Sequence, residues 1–275
     1  MAPVLVGTAL AGADWKPIRA LLALTVAVSL QIGVNYANDY SDGIRGTDAQ
    51  RVGPVRLVGQ GRAKPRVVRR AAFVAFAVAA AAGLALVALS SHWWLVLIGI
   101  ASIAAAWLYT GGPRPYGYAG LGEVFVFIFF GLVPVLGTLY VQTDQISVFA
   151  VLAAVGVGSL ACAILVTNNL RDIDTDAAAE KKTLAVRLGD SRTRYLYLAL
   201  VIVAFGVTPA MAFFGHPAAL IALVAGIWAI RPVRIVGGGG TGRELIPALV
   251  ATGQLLIAYA ITLSFGIVLP LVFGS

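Results

Sequence analysis

The 275-residue chain has one cysteine, two histidines and two methionines, and only 12% of its residues are charged. Each shortage excludes something. Cys162 stands alone within an apolar run, so there is no internal disulfide and no cysteine-based metal pattern. Soluble domains carry about 25% charged residues. Half that share, with 60% hydrophobic residues and a mean hydropathy of +0.91, describes an integral membrane protein. No Lys or Arg precedes the first apolar stretch, Met1 to Gly7, and no convincing cleavage site follows it. That stretch reads as part of a first helix, not as a signal peptide.

What is present is a succession of apolar runs. A membrane span needs roughly 20 apolar residues to cross about 30 Å. This rule predicts an all-α polytopic bundle with helices near 2–13, 17–38, 67–90, 93–110, 119–141, 146–169, 193–214, 216–233 and 245–271, in a single domain over 1–275. Pro17 suits a first helical turn, and Ser90-Ser91-His92 and Gly215-His216-Pro217 mark tight connections. Small residues at Ala77–Ala82 and Ala101–Ala106 allow close helix packing in lipid.

The net charge of +8 is spread over short loops, which argues for membrane topology and anion binding and against a nucleic-acid face. Of the 20 basic residues, 18 fall in even-numbered loops; Lys16 and Arg19 are the exceptions. The positive-inside rule then places those loops in the cytoplasm.

Two acidic clusters close apolar runs on that predicted side. The first contains Asn35, Asn38, Asp39 and Asp42, with Asp48 just behind; the second contains Asn168, Asn169, Asp172, Asp174 and Asp176. Carboxylates are costly in hydrocarbon, so acids at span ends suggest a cation or ligand site. Helical spacing of three and four puts Asn35, Asp39 and Asp42 on one face, with Asn38 beside it, and aligns Asn168, Asp172 and Asp176. Asp174 falls on the opposite side. Because an even number of helices separates the clusters, the chain is expected to comprise two parallel halves whose sites meet centrally.

Two stripes of hard oxygen ligands, without His or Cys, suit Mg²⁺. Basic residues interleave with the acids: Arg51, Arg56 and Lys64 in one loop, Arg171, Lys181, Lys182 and Arg187 in the other. Arg and Lys among metal-binding carboxylates suit a phosphate ligand, although each residue alone also serves topology. At the rim of an apolar bundle, a lipid diphosphate fits best. Ionising an allylic C–O bond then calls for electron-rich aromatic faces. Tyr109, Tyr116 and Tyr118 are the candidates; Phe125, Phe127, Phe129 and Phe130 read as core or lipid-facing packing.

Three stretches bring these features together: Asn38 to Asp48 with the following Arg51-Val-Gly-Pro-Val-Arg56, Tyr109-Thr-Gly-Gly-Pro through Gly120-Leu-Gly-Glu123, and Asn168 to Asp176 running on to Lys182-Thr-Leu-Ala-Val-Arg-Leu-Gly189. Over essentially the whole chain this pattern resembles the UbiA superfamily of intramembrane aromatic prenyltransferases. The Tyr109–Glu123 segment is similar to the branch acting on 1,4-dihydroxy-2-naphthoate. The resemblance implies transfer of a polyprenyl group from its diphosphate to that naphthoate, with loss of CO₂ and diphosphate, in menaquinone biosynthesis. It implies Asp39, Asp42, Asp172 and Asp176 as Mg²⁺ ligands, Asp48 as a weaker one, and Asn35, Asn38, Asn168 and Asn169 as orienting groups. Glu123 is implied to orient the acceptor or relay a proton; the alternative is a helix-start residue favoured by the dipole. Family loops carry Gly-Lys ahead of Thr-Leu where this chain has Glu180-Lys181-Lys182-Thr183, and adjacency to Thr183 points to Lys182 as the phosphate-facing lysine. Another aromatic acceptor, such as 4-hydroxybenzoate or homogentisate, is the nearest rival. A cation-coupled transporter would place acids near mid-membrane, where this sequence has none.

Overall fold

A computed structural model describes residues 1–47 and 55–273, and among these the regular structure is helical. In chain order the helices are α1 (Ala2–Leu10), α2 (Pro17–Arg45), α3 (Pro65–Ser90), α4 (Leu95–Leu108), α5 (Gly122–Phe127), α6 (Val133–Thr143), α7 (Val148–Arg171), α8 (Ile173–Ala178), α9 (Leu184–Leu188), α10 (Asp190–Phe213), α11 (Gly226–Gly237) and α12 (Leu245–Phe273). One π-turn at Ile128–Leu132 joins α5 to α6, and a 3₁₀ stretch at Pro217–Ala225 leads into α11.

Among the described residues, seven segments are long and apolar enough to cross a membrane: Pro17–Arg45, Pro65–Ser90, Gly122–Thr143, Val148–Arg171, Asp190–Phe213, Pro217–Gly237 and Gly242–Leu271. The expectation was nine. Helix α4 is apolar, but its 14 residues rise only about 21 Å, and α1 is shorter still. The protein is a multi-pass membrane protein with an outer surface of exposed Ile18, Leu21, Val74, Leu97, Ile202 and Ile261.

Helix α7 lies at the centre, with two-thirds of its apolar window buried. Its start is fixed by Ser147, whose side chain accepts a hydrogen bond from the Ala150 amide. It packs on α10 and α12 through Leu160, Val201, Tyr197 and Tyr259, and a buried Tyr197–Thr252 hydrogen bond of 3.0 Å joins α10 to α12. On the other flank α2 and α3 pack through Ala37, Ala72 and Phe76. The π-turn presses against α7: a Cβ on Gly131 would come 2.4 Å from the Gly158 Cα. That approach holds the start of α5 beside the end of α7.

Helix α2 continues seven residues past the expected end at 38. The sequence reading stopped it at the polar cluster, but the cluster's side chains find partners in neighbouring loops, so the helix runs on. Gly46, at φ 74°, closes it, its amide bonding back to the carbonyls of Asp42 and Gly43. Helix α7, by contrast, breaks at Asp172 (φ −96°, ψ 9°), and α8 resumes directly after it.

Candidate active site

At the end of α2 the first cluster is folded inward. Asp39 and Asp42 are each 5% exposed. Asp39 accepts main-chain hydrogen bonds from Val58 on Oδ1 at 2.9 Å and from Leu57 on Oδ2 at 2.8 Å, so this carboxylate pins the loop that follows α2. Gly43 permits the contact, since a Cβ there would fall 2.5 Å from the Val58 side chain. Asn38 accepts from the Thr110 hydroxyl at 2.9 Å. Asn35 stays exposed, its amide donating to the carbonyl of Gln31 one turn back.

The second cluster carries its own cation. Arg171, 5% exposed, donates from Nε and Nη2 to the two oxygens of Asp172 at 2.7 and 2.6 Å, and from Nη2 to Asn168 at 2.9 Å. Its Nη1 is buried with no hydrogen-bond partner among the described residues. Despite the break at Asp172, the Asp176 amide bonds to the Asp172 carbonyl at 2.8 Å, which preserves the step of four. Asp174 points outward and is exposed, as the helical-face argument required.

Lys181 joins the two clusters. Glu180 adopts a left-handed conformation (φ 56°), a geometry that favours glycine. The chain reverses there, and the Lys181 amide bonds to the Asp176 carbonyl at 2.8 Å. The Lys181 ammonium lies 3.5 Å from Asp42 Oδ2 and 3.9 Å from Asp176 Oδ1, over the Tyr118 ring at 4.8 Å. Tyr118 in turn donates its hydroxyl to Asp42 Oδ1 at 2.6 Å. Burial, and then the charge of Asp42, push the Tyr118 pKa well above the ordinary phenol value, so the hydroxyl remains a donor. Lys182, the expected phosphate-facing lysine, is exposed, and its main-chain amide bonds to the Tyr118 carbonyl at 3.0 Å. The left-handed residue at Glu180 reverses the chain, and the lysine that turns inward there is Lys181.

Sequence reasoning also passed over Arg45. Its guanidinium donates to the carbonyls of Thr110 and Gly112 and lies 5.4 Å from the Tyr118 ring, holding the 109–121 segment against α2. Its place three residues beyond Asp42 was the available signal. Tyr109, Tyr116, Phe125 and Phe129 form an aromatic series leading away from this loop. Tyr109 meets Tyr116 edge-on at 5.5 Å, Tyr116 stacks on Phe125 at 3.9 Å, and Phe125 stacks with Phe129 at 6.0 Å. Of the four phenylalanines expected to serve packing, Phe125 and Phe129 continue the tyrosine series, while Phe127 packs against Gly158 of α7. The Tyr116 hydroxyl is used on the Ala105 carbonyl at 2.8 Å, which leaves its ring for stacking.

Glu123 is the second residue of α5 and is 9% exposed. Oε1 accepts from Asn169 at 3.0 Å, whereas Oε2 is buried with no partner among the described residues. A helix-start role alone leaves that second oxygen unexplained. Lys64 is exposed at the start of α3, and Arg56 lies half-buried just ahead of the amides that bind Asp39. Asp48 and Arg51 lie outside the described residues.

The four implied metal ligands do not form one cage: among the described residues, no three metal-ligating side chains converge. Asp42 and Asp176 instead oppose each other across a cation, while Asp39 and Asp172 are held by main-chain amides and by Arg171. Mg²⁺ usually binds through one or two carboxylates, completing its shell with water and substrate phosphate. The hard carboxylates Asp42 and Asp176 suit that ion, and the unmatched Arg171 Nη1, a cationic donor in the second cluster, suits the phosphate oxygens that would complete its shell.

A family model described as "UbiA prenyltransferase family" matches residues 1–238. The 1,4-dihydroxy-2-naphthoate octaprenyltransferase of Mycobacterium tuberculosis is 53% identical over 268 residues, which cover 96% of this chain and 90% of that protein. An apo UbiA homolog from Aeropyrum pernix K1 has the same fold, with a TM-score of 0.74 at 18% identity, covering 98% of this chain and 96% of that one. A UbiA homolog from Archaeoglobus fulgidus bound to GPP and Mg²⁺ gives 0.67 at 14% identity over 96% of this chain and 94% of that one. With the family model spanning most of its length and a relative this similar, the chain belongs to the UbiA prenyltransferase family.

Proposed function

We propose that this chain is a Mg²⁺-dependent prenyltransferase that moves a polyprenyl group from its diphosphate to 1,4-dihydroxy-2-naphthoate, releasing diphosphate and CO₂ and yielding demethylmenaquinone. The observation that carries the reading is the meeting of two acidic clusters from distant parts of the chain around one buried cation and one tyrosine. The relatedness to a naphthoate octaprenyltransferase supports the acceptor.

In this reading the chain acts as one domain over 1–275. Asp39, Asp42, Asp172 and Asp176 form the metal-binding rim, and Arg171 and Lys181 take the diphosphate oxygens. Bound Mg²⁺ supplies positive charge that favours departure of the diphosphate. The allylic C–O electron pair leaves with the diphosphate, and the faces of Tyr109 and Tyr116 stabilise the positive charge left on the prenyl carbon. Glu123 Oε2 accepts a hydrogen bond from an acceptor ring hydroxyl, which orients the naphthoate and raises its electron density. The ring carbon bearing the carboxylate bonds to the prenyl carbon; CO₂ departs, and the electron pair it leaves restores the aromatic ring. The tail lies between helices along Phe125 and Phe129.

The same reading directs the acidic rim to the cytoplasm of a cell-membrane protein, supported by the basic loops on that side. It treats α1 and α4 as parts of two further crossings and the two clusters as counterparts in parallel halves. The test is product mass: purified protein with a polyprenyl diphosphate, Mg²⁺ and either 1,4-dihydroxy-2-naphthoate or 4-hydroxybenzoate. A prenylated naphthalenediol lacking the carboxyl carbon is expected. Transfer to the benzoate alone would contradict the assigned acceptor.

A further inference from the structure

The opposed carboxylates Asp42 and Asp176 already share a cation of the chain's own. Lysine normally keeps its ammonium in water while its stem lies on the protein. Here Lys181 is only 8% exposed, and its ammonium lies between the two acids. Three separate features build that position. The left-handed turn at Glu180 reverses the chain, the Lys181 amide is tied to the Asp176 carbonyl, and Tyr118 lies beneath the ammonium while bonding Asp42.

The charge arithmetic gives this arrangement a consequence. A buried carboxylate (Asp42) and a partly buried one (Asp176) facing the same ammonium repel each other, and the cation between them relieves that repulsion. A divalent ion arriving alone would meet carboxylates already partly neutralised and an ammonium of like charge within a few ångströms. A diphosphate changes both conditions, because its oxygens attract the ammonium away from the acids and also ligate the metal.

We propose that Lys181 is a built-in counter-ion which keeps the Asp42–Asp176 pair assembled and closed to free divalent metal, and which transfers to the diphosphate when that ligand binds, so that metal and diphosphate enter together. This rests on the metal–diphosphate reading of the site given above. It assigns Lys181 a role in the order of binding, beyond simple attraction of phosphate.

The test follows Mn²⁺ uptake by loss of the free-ion electron paramagnetic resonance signal. Full-length wild-type protein, K181Q and K181R are titrated in detergent with and without inorganic pyrophosphate, at matched free Mn²⁺. The wild type is expected to bind Mn²⁺ weakly alone and roughly ten-fold or more tightly with pyrophosphate. K181Q should bind Mn²⁺ alone roughly ten-fold more tightly than the wild type and lose most of the gain from pyrophosphate. K181R should keep the wild-type order. A K181Q protein that elutes and melts as folded yet binds Mn²⁺ alone no more tightly than the wild type overturns the proposal. So does a wild type whose Mn²⁺ affinity is the same with and without pyrophosphate, a result that needs no variant. Absence of Mn²⁺ binding by the wild type in both conditions would remove the metal–diphosphate reading, and this inference with it.

Discussion

Arg19 and Arg171 stand at opposite ends of the bundle and do different work. Arg19, in the first turn of α2, donates to the carbonyls of Val141 and Leu89, near the ends of α6 and α3. Beside it, fully buried Gln142 accepts from the Lys16 amide, and the exposed His92–Asp144 contact at 2.6 Å links the connections after α3 and α6. These partners satisfy groups that helix ends leave open. Arg171 instead engages a neighbouring carboxylate, and among the described residues one of its nitrogens and one oxygen of Glu123 find no partner. The acidic rim buries more charge than closing its helices requires. Arg19, Lys16 and Gln142 at the far rim find their partners within the protein, whereas Arg171 and Glu123 at the acidic rim are charged groups that each keep one buried atom for which a ligand would supply the partner.

That contrast can be broken from either end. The largest effect is expected for Asp42→Ala or Asp176→Ala: turnover should fall more than roughly a hundred-fold in protein that still elutes as folded, with a lower Tm for Asp42→Ala because the buried Lys181 loses a partner. Near-normal turnover in either would mean that the rim does not hold the reacting diphosphate. Glu123→Gln should lower kcat by roughly a hundred-fold with pyrophosphate binding unchanged, because it alters acceptor chemistry only; parallel loss of both would make Glu123 a structural strut. At the far rim, Arg19→Ala should lower stability by about 1–3 kcal/mol, read as a lower Tm, with activity per folded molecule retained. Asp174→Asn should change turnover by less than about two-fold, since Asp174 is exposed on the outer side of α8.

Much of this was legible in the sequence, because composition and periodicity respond directly to lipid. The apolar runs mark the spans, and the spacing of Asn168, Asp172 and Asp176 survives even where α7 breaks. What escaped depends on tertiary partners. Helix α2 extends past its polar cluster because Asp39 meets the Leu57 and Val58 amides, a contact 18 to 19 residues away. That Lys181 and not Lys182 turns inward follows a left-handed turn at Glu180, a residue whose identity gives no hint of one. Arg45 looked like part of the topological charge, and only its bonds to the Thr110 and Gly112 carbonyls set it apart. Nine apolar runs gave seven full-length spans because α1 and α4 are apolar but short.

The central claim is that two clusters distant in sequence make one site. A double-mutant cycle tests it most directly: Mg²⁺-dependent turnover of Asp42→Asn, Asp176→Asn and the double variant, measured with the same diphosphate and acceptor. Groups that act as a unit are strongly non-additive. The account predicts that the double variant is little worse than either single one. Losses that multiply, each substitution acting in full on top of the other, would contradict it.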